Sequence, residues 1–178
     1  KLLSIDDVDA IVANNNSLAL SDESKQVIEK CREYLDAKLQ SEKQPIYGIN
    51  TGFGSLCNVK ISEENLSKLQ ENLVKSHACG TGDEVPNSVV KIMLLLKIQS
   101  LSYGHSGAQL QTVQRLIDFY NLDILPVIYT QGSLGASGDL APLAHLSLPL
   151  LGEGDVNFEG KKIHSREILK KFNWEVLT

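Results

Sequence analysis

Residues 131–151, QGSLGASGDLAPLAHLSLPLL, constrain this fold more than any other part of the chain. The first half is glycine, serine and alanine; the second is an apolar run that must be buried. A surface linker has no reason to pack small residues against a buried segment. The small residues must therefore permit a tight turn or a close backbone approach that a Cβ would block.

Several chemistries use small residues in this way. A phosphate cradle needs Gly-x-x-x-x-Gly-Lys-Ser/Thr, and no lysine follows here. A nucleophile elbow needs Gly-x-Ser-x-Gly; Gly135-Ala136-Ser137-Gly138 is out of register, and GHSGA at 104–108 lies between helical segments instead of after a strand. A tight turn into a buried helix satisfies any generic glycine-rich run. The remaining reading is covalent. If the Gly138 N–H is forced against the carbonyl carbon of Ala136, loss of water closes a five-membered ring. Loss of the Ser137 hydroxyl then leaves an exocyclic methylidene, an electrophile made from the chain itself.

Composition narrows the class. The chain has 178 residues, 42% hydrophobic and 22% charged, as in ordinary globular proteins. A net charge of −5 and only two isolated basic pairs, Lys161-Lys162 and Lys170-Lys171, argue against a nucleic-acid partner. The apolar runs at 92–96 and 146–151 are too short to span a bilayer, and the N-terminus shows no secretory signal. Cys31, Cys57 and Cys79 form no Cys-x-x-Cys pair, so buried free thiols in a reducing cytoplasm are expected. His77 and Cys79, two residues apart without further ligands, do not make a metal site. The first residue is Lys1 and the end at 174–178 is partly apolar, so the chain reads as part of something longer.

The pattern is mainly α with small β elements. Ser4 caps a helix over 4–13 with Asp6 and Asp7 in its first turn. Ser21 caps another to about residue 39, with Val27, Ile28, Cys31 and Leu35 on one face. IYGINTGFGSL at 46–56 is a glycine-punctuated loop, and Ser62 caps a helix through 78. CGTGDEVP at 79–86 reads as a loop. The helix from Asn87 is apolar on most sides, GHSG interrupts it, and a helix resumes over 108–120. ILPVIY is extended. Asp139 caps the next helix, with Pro142 harmless in its first turn. A hairpin around Glu159-Gly160 and a helix over 165–172 follow.

Three stretches together resemble the aromatic amino-acid ammonia-lyases: GSLGASGDLAPLAHLSLPLLGEGD, YGINTGFGSL and NLVKSHACGTG. They occur in the family's order, and the resemblance extends over essentially all 178 residues. It implies the N-terminal portion of the ammonia-lyase helical fold, with a mixed helical domain over 1–110 and the start of the central helical domain over 111–178. It implies that Ala136, Ser137 and Gly138 condense into 4-methylidene-imidazol-5-one (MIO), with no external cofactor and no metal. Asp139 matches the family's acidic residue beside the triad, a role compatible with a helix cap.

Tyr47 matches the loop tyrosine that takes the substrate's β-proton. A free tyrosine ionises near about 10, so this needs an electropositive site. Gly48, Gly52 and Gly54 would let the loop close over a ligand, and Gly54 matches a glycine of the family's active site. Ser76-His77 resembles the pair in the histidine-specific members, where tyrosine users carry His-Leu and phenylalanine users Phe-Leu. His77 would bind a substrate imidazole. His105, His145 and His164 read as structural. Tyr129 stands where the family often has proline.

The resemblance implies release of ammonia from L-histidine to give trans-urocanate, by a cytoplasmic homotetramer with active sites drawn from more than one subunit. The 178 residues alone are expected to be inactive, because further active-site groups lie in later parts of family members. A tyrosine or phenylalanine lyase or aminomutase would keep the same triad; a helical scaffold module would never cyclise.

Overall fold

A computed structural model describes residues 2–41, 44–51, 61, 63–135 and 137–177. The order is α1 (Ile5–Ala13), α2 (Asp22–Ser41), α3 (Glu63–His77), β1 (Thr81–Glu84), α4 (Asn87–Ser102), α5 (Leu110–Asn121), β2 (Leu125–Pro126), β3 (Tyr129–Gln131), α6 (Leu140–Ser147), a 3₁₀ turn (Leu148–Leu151), β4 (Asp155–Phe158), β5 (Lys161–His164) and α7 (Ser165–Lys171). The chain is mainly helical with small β elements, as the pattern predicts.

Local signals place the first helices. Ser4 Oγ accepts from the Asp7 N–H at 3.1 Å while the Asp7 carboxylate accepts from the Ser4 N–H at 2.9 Å, a reciprocal capping box. Ser21 Oγ likewise accepts from the Ser24 N–H at 3.1 Å. The expected cap Ser62 and the third cysteine, Cys57, lie outside the described residues.

The core gathers around the α4–α5 hairpin. Val90, Leu94, Leu95, Ile98 and Leu101 line one side of α4 and meet Val113, Leu116, Ile117, Phe119 and Tyr120 of α5. Ile124, Ile128, Leu146, Val156 and Ile168 close the cluster from the strands, α6 and α7. α4 packs against α1, α2, α5 and β2, so most of its sides are covered as expected, with Leu96 left 50% exposed.

The segment 79–86, expected as a loop, contains β1, which pairs antiparallel with β3 in a two-stranded ladder. Thr-Gly-Asp-Glu has little strand propensity, and the long-range partner supplies the order. ILPVIY is extended as expected, but β2 and β3 join different sheets; β2 pairs with β4, and β4 with β5. The β4–β5 hairpin turns at Glu159-Gly160, where φ values of 51° and 73° give the two left-handed positions of a type I′ turn. Cys31 and Cys79 are free thiols, yet neither is buried: Cys31 is partly covered and Cys79 exposed. Among the described residues no helix is long and apolar enough to cross a membrane, and no group of three or more His, Cys, Asp or Glu could hold a metal ion.

Candidate active site

The β1–β3 ladder fixes the geometry of the site. β1 directly follows the end of α3, so it carries the segment from His77 to Gly80. β3 opens into the small-residue loop that ends at α6. Two loops more than fifty residues apart in sequence therefore leave the same two-stranded ladder side by side. Contact continues past the ladder, where the Cys79 thiol lies 3.6 Å from the Gly132 carbonyl oxygen. A Cβ built on Gly132 would stand 2.8 Å from Gly80 Cα, so the two backbones meet at their limit of approach.

The triad loop is open to solvent. Ser137 and Gly138 are exposed, Ala136 lies outside the described residues, and Leu134 and Leu140 present apolar side chains to water. The Ser137 hydroxyl donates a short hydrogen bond to the Asp139 carboxylate. Asp139 stands at the N-cap position of α6 without the expected side-chain cap bond. Ser133 Oγ accepts the Ala141 N–H there at 3.5 Å, which leaves the Asp139 carboxylate turned back toward the serine. Gly138 has φ +69°, and no heavy atom lies within 4 Å of a Cβ built on it. Ser137 and Gly138 thus fit a condensing triad: a left-handed backbone that favours glycine, room for the amide to move, and a carboxylate on the hydroxyl that must depart.

Tyr47 sits in a turn held from beneath. The Asn50 carboxamide oxygen accepts the Ile46 N–H at 2.6 Å, and the Ile61 N–H donates to the Asn50 carbonyl at 2.9 Å. Asn50 and Thr51 are buried polar residues, Thr51 at 0% exposure, whereas Tyr47 is 63% exposed. The sequence reading missed both anchors; the Asx and Ser/Thr turn chemistry of Asn-Thr was the available signal. Gly48 has φ +75°, while Gly52 and Gly54 lie outside the described residues.

His77 is the last residue of α3. Its Nδ1 lies 2.7 Å from the Leu73 carbonyl oxygen. A carbonyl only accepts, so Nδ1 carries the proton, and in the neutral ring Nε2 is left as an acceptor. Ser76 Oγ donates to the same carbonyl at 3.0 Å. The pair is thereby fixed as a unit on the helix end.

His145, read from sequence as structural, is 8% exposed and joins the two loops. Its Nε2 accepts the Gly80 N–H at 2.9 Å, and the Tyr129 ring meets it edge-on at 5.2 Å. Tyr129, which departs from the family's usual proline, therefore packs against the histidine. Burial pulls the His145 imidazole below its ordinary value of 6.5. Folding thus favours the neutral ring, and its contribution to stability is complete above 6.5 and lost as pH falls through the lower folded value. We expect wild-type stability in denaturant to fall more steeply on acidification below 6.5 than that of His145→Gln, which cannot titrate there. Parallel acid limbs would show that this ring is not the group responsible.

A separate cavity of about 740 Å³ opens between α2, α3, α5 and the 3₁₀ turn, lined by Arg32, Glu71, Val74, Thr112, Leu150 and Leu177 among others. None of the predicted site residues that are described, Tyr47, His77, Ser137 and Gly138, lines it.

The aromatic amino acid lyase family model matches residues 3–178. A histidine ammonia-lyase of Legionella pneumophila (strain Paris) is 48% identical over 168 residues, 94% of this chain and 33% of that protein. The solved histidine ammonia-lyase of Trypanosoma cruzi aligns with a TM-score of 0.85 at 34% identity, over 99% of this chain and 34% of that one. The ergothioneine-degrading ergothionase of Treponema denticola aligns with a TM-score of 0.92 at 30% identity, over 99% of this chain and 35% of that one. The chain spans about a third of the length of the curated relatives it matches.

Proposed function

The chain belongs to the aromatic amino acid lyase family, and from that premise we propose that the complete protein is a histidine ammonia-lyase, releasing ammonia from L-histidine to give trans-urocanate. The observation that carries the substrate is His77. Its Nδ1–H is engaged by Leu73, so its Nε2 is the atom that accepts from the N–H of a substrate imidazole. A phenyl ring has no such donor and would leave that acceptor unpaired.

Ala136, Ser137 and Gly138 would form the MIO group, which supplies an electrophile for the substrate's amine or ring. Asp139 lies on the Ser137 hydroxyl, where in its protonated form it would give a proton to that oxygen as it leaves as water, the Ser137 Cα proton being lost in the same elimination. Tyr47 takes the β-proton at its phenolate oxygen. The buried Asn50 and Thr51 hold the backbone of the turn that carries Tyr47, which matters because the β-hydrogen is barely acidic. Gly54, which matches a glycine of the family's active site, would contribute to substrate binding.

We assign 1–110 to a mixed helical domain and 111–178 to the start of the central helical domain. We place the complete protein in the cytoplasm as a homotetramer; the exposed Leu134 and Leu140 beside Ser137 fit a loop that further parts of the complete protein or its assembly cover.

The test compares histidine, tyrosine and phenylalanine as substrates of the full-length polypeptide, following the unsaturated product by near-UV absorbance. Histidine is expected to be preferred. His77→Leu should lower kcat/KM for histidine by about tenfold to a hundredfold, the usual effect of unpairing one buried polar group, without changing the thermal midpoint. Equal turnover of histidine by both proteins would remove His77 from substrate recognition. A wild-type preference for tyrosine or phenylalanine would overturn the substrate.

A further inference from the structure

We propose that His145 is a positioning residue for the lyase reaction: by accepting the Gly80 N–H at Nε2, it locks the segment bearing His77 onto the helix that leaves the Ala136–Gly138 triad. This rests on the function proposed above and adds a residue to it.

Two contacts converge on the ring. Gly80 donates to Nε2 at 2.9 Å, and an accepting Nε2 makes the ring neutral with its proton on Nδ1. A Cβ on Gly80 would come within 2.8 Å of that same Nε2 and 3.2 Å of Tyr129 Cβ, so position 80 has no space for any side chain. The Tyr129 ring, at 77° to the imidazole, closes the remaining side. Lys162 Nζ lies 5.8 Å from the centre of that tyrosine ring.

The rest of this helix explains why a histidine stands here. Ala141, Ala144 and Leu146 bury apolar surface on α6, and an apolar residue at 145 would serve the core equally well. It would, however, leave the part-buried Gly80 N–H without the acceptor that pairs it. The imidazole both fills the space and pairs the donor. Because α6 begins at Leu140, directly after Asp139, any shift of the ring is passed to the triad through less than two turns of rigid helix. In the other direction, Gly80 is three residues from His77. The histidine therefore fixes one placement of the recognition segment relative to the electrophile.

The experiment uses the full-length polypeptide with four variants: His145→Leu, His145→Gln, Gly80→Ala and His145→Ala/Gly80→Ala, with His145→Ala as reference. Intact mass reports triad condensation, since cyclisation and dehydration remove two waters. In His145→Leu the mass loss is expected to persist, while kcat/KM for histidine drops by about tenfold or more with part of the loss in KM. His145→Gln, whose carboxamide oxygen can accept from Gly80, should recover most of that loss. Gly80→Ala should be costly beside the intact imidazole and much less so in His145→Ala, in both kcat/KM and thermal midpoint. Wild-type kinetics in His145→Leu, failure of glutamine to rescue, or additive effects of the two alanines would overturn the proposal. If His145→Leu does not fold, the glutamine variant and the alanine cycle still decide. Failure of the proposed function has a different signature: the wild type itself would not turn over histidine, while coupling between positions 80 and 145 would persist in the thermal midpoint.

Discussion

Ser137→Ala in the full-length enzyme should retain the complete, unmodified polypeptide mass and lose at least about 10³-fold in kcat, equivalent to ~4 kcal/mol of barrier. The hydroxyl of Ser137 is what dehydration removes. Alanine offers no leaving group, so the exocyclic methylidene cannot form and the electrophile is missing. Ser137 is exposed and its side chain contacts Asp139, so the substitution removes no core packing. The thermal midpoint should therefore stay near wild type. Intact mass spectrometry and the near-UV assay check the two halves separately. A variant with unchanged mass and wild-type rate would remove the self-made electrophile from the mechanism.

Tyr47→Phe should be the second large effect. Phenylalanine keeps the ring and removes the oxygen, so the loss isolates proton transfer. A positioned general base contributes about 10²–10⁴-fold, and kcat is expected to fall within that range. KM should move little, because Asn50 and Thr51, not Tyr47, hold the turn: the Asn50 side chain ties back to Ile46, and Thr51 is fully buried. Steady-state kinetics on histidine separate the outcomes. A change confined to a higher KM would make Tyr47 a binding residue.

The parts of this fold that were legible in the sequence are those set by neighbours in the chain. Ser4 and Asp7 make a capping box over three residues, and Glu159-Gly160 turns a hairpin by its own backbone preferences. The Ala-Ser-Gly triad and the Ser-His pair were legible as motifs. What escaped depends on distant partners. Thr81–Glu84 is a strand because Tyr129–Gln131 lies beside it. Asn50 and Thr51 are buried, with the Ile61 N–H donating to the Asn50 carbonyl, although their polarity suggests exposure. Cys79 is exposed although both its thiol and its backbone carbonyl lie against Gly132, a partner that arrives from fifty-three positions away. His145 has the helical spacing of a core residue, and only the arrival of Gly80 from sixty-five positions away turns it into an acceptor.

The ladder pairs Thr81 with Gln131 and Glu84 with Tyr129, so β1 spends one more residue than β3 between the same two rungs. This bulge makes the two strands a matched cassette. An engineer who transplants the recognition segment from a relative with another substrate preference must move 77–84 and 129–132 together. Exchanging one side alone would slide the rungs and reverse which side chains face inward, altering the reach between recognition and chemistry before any new contact had been made.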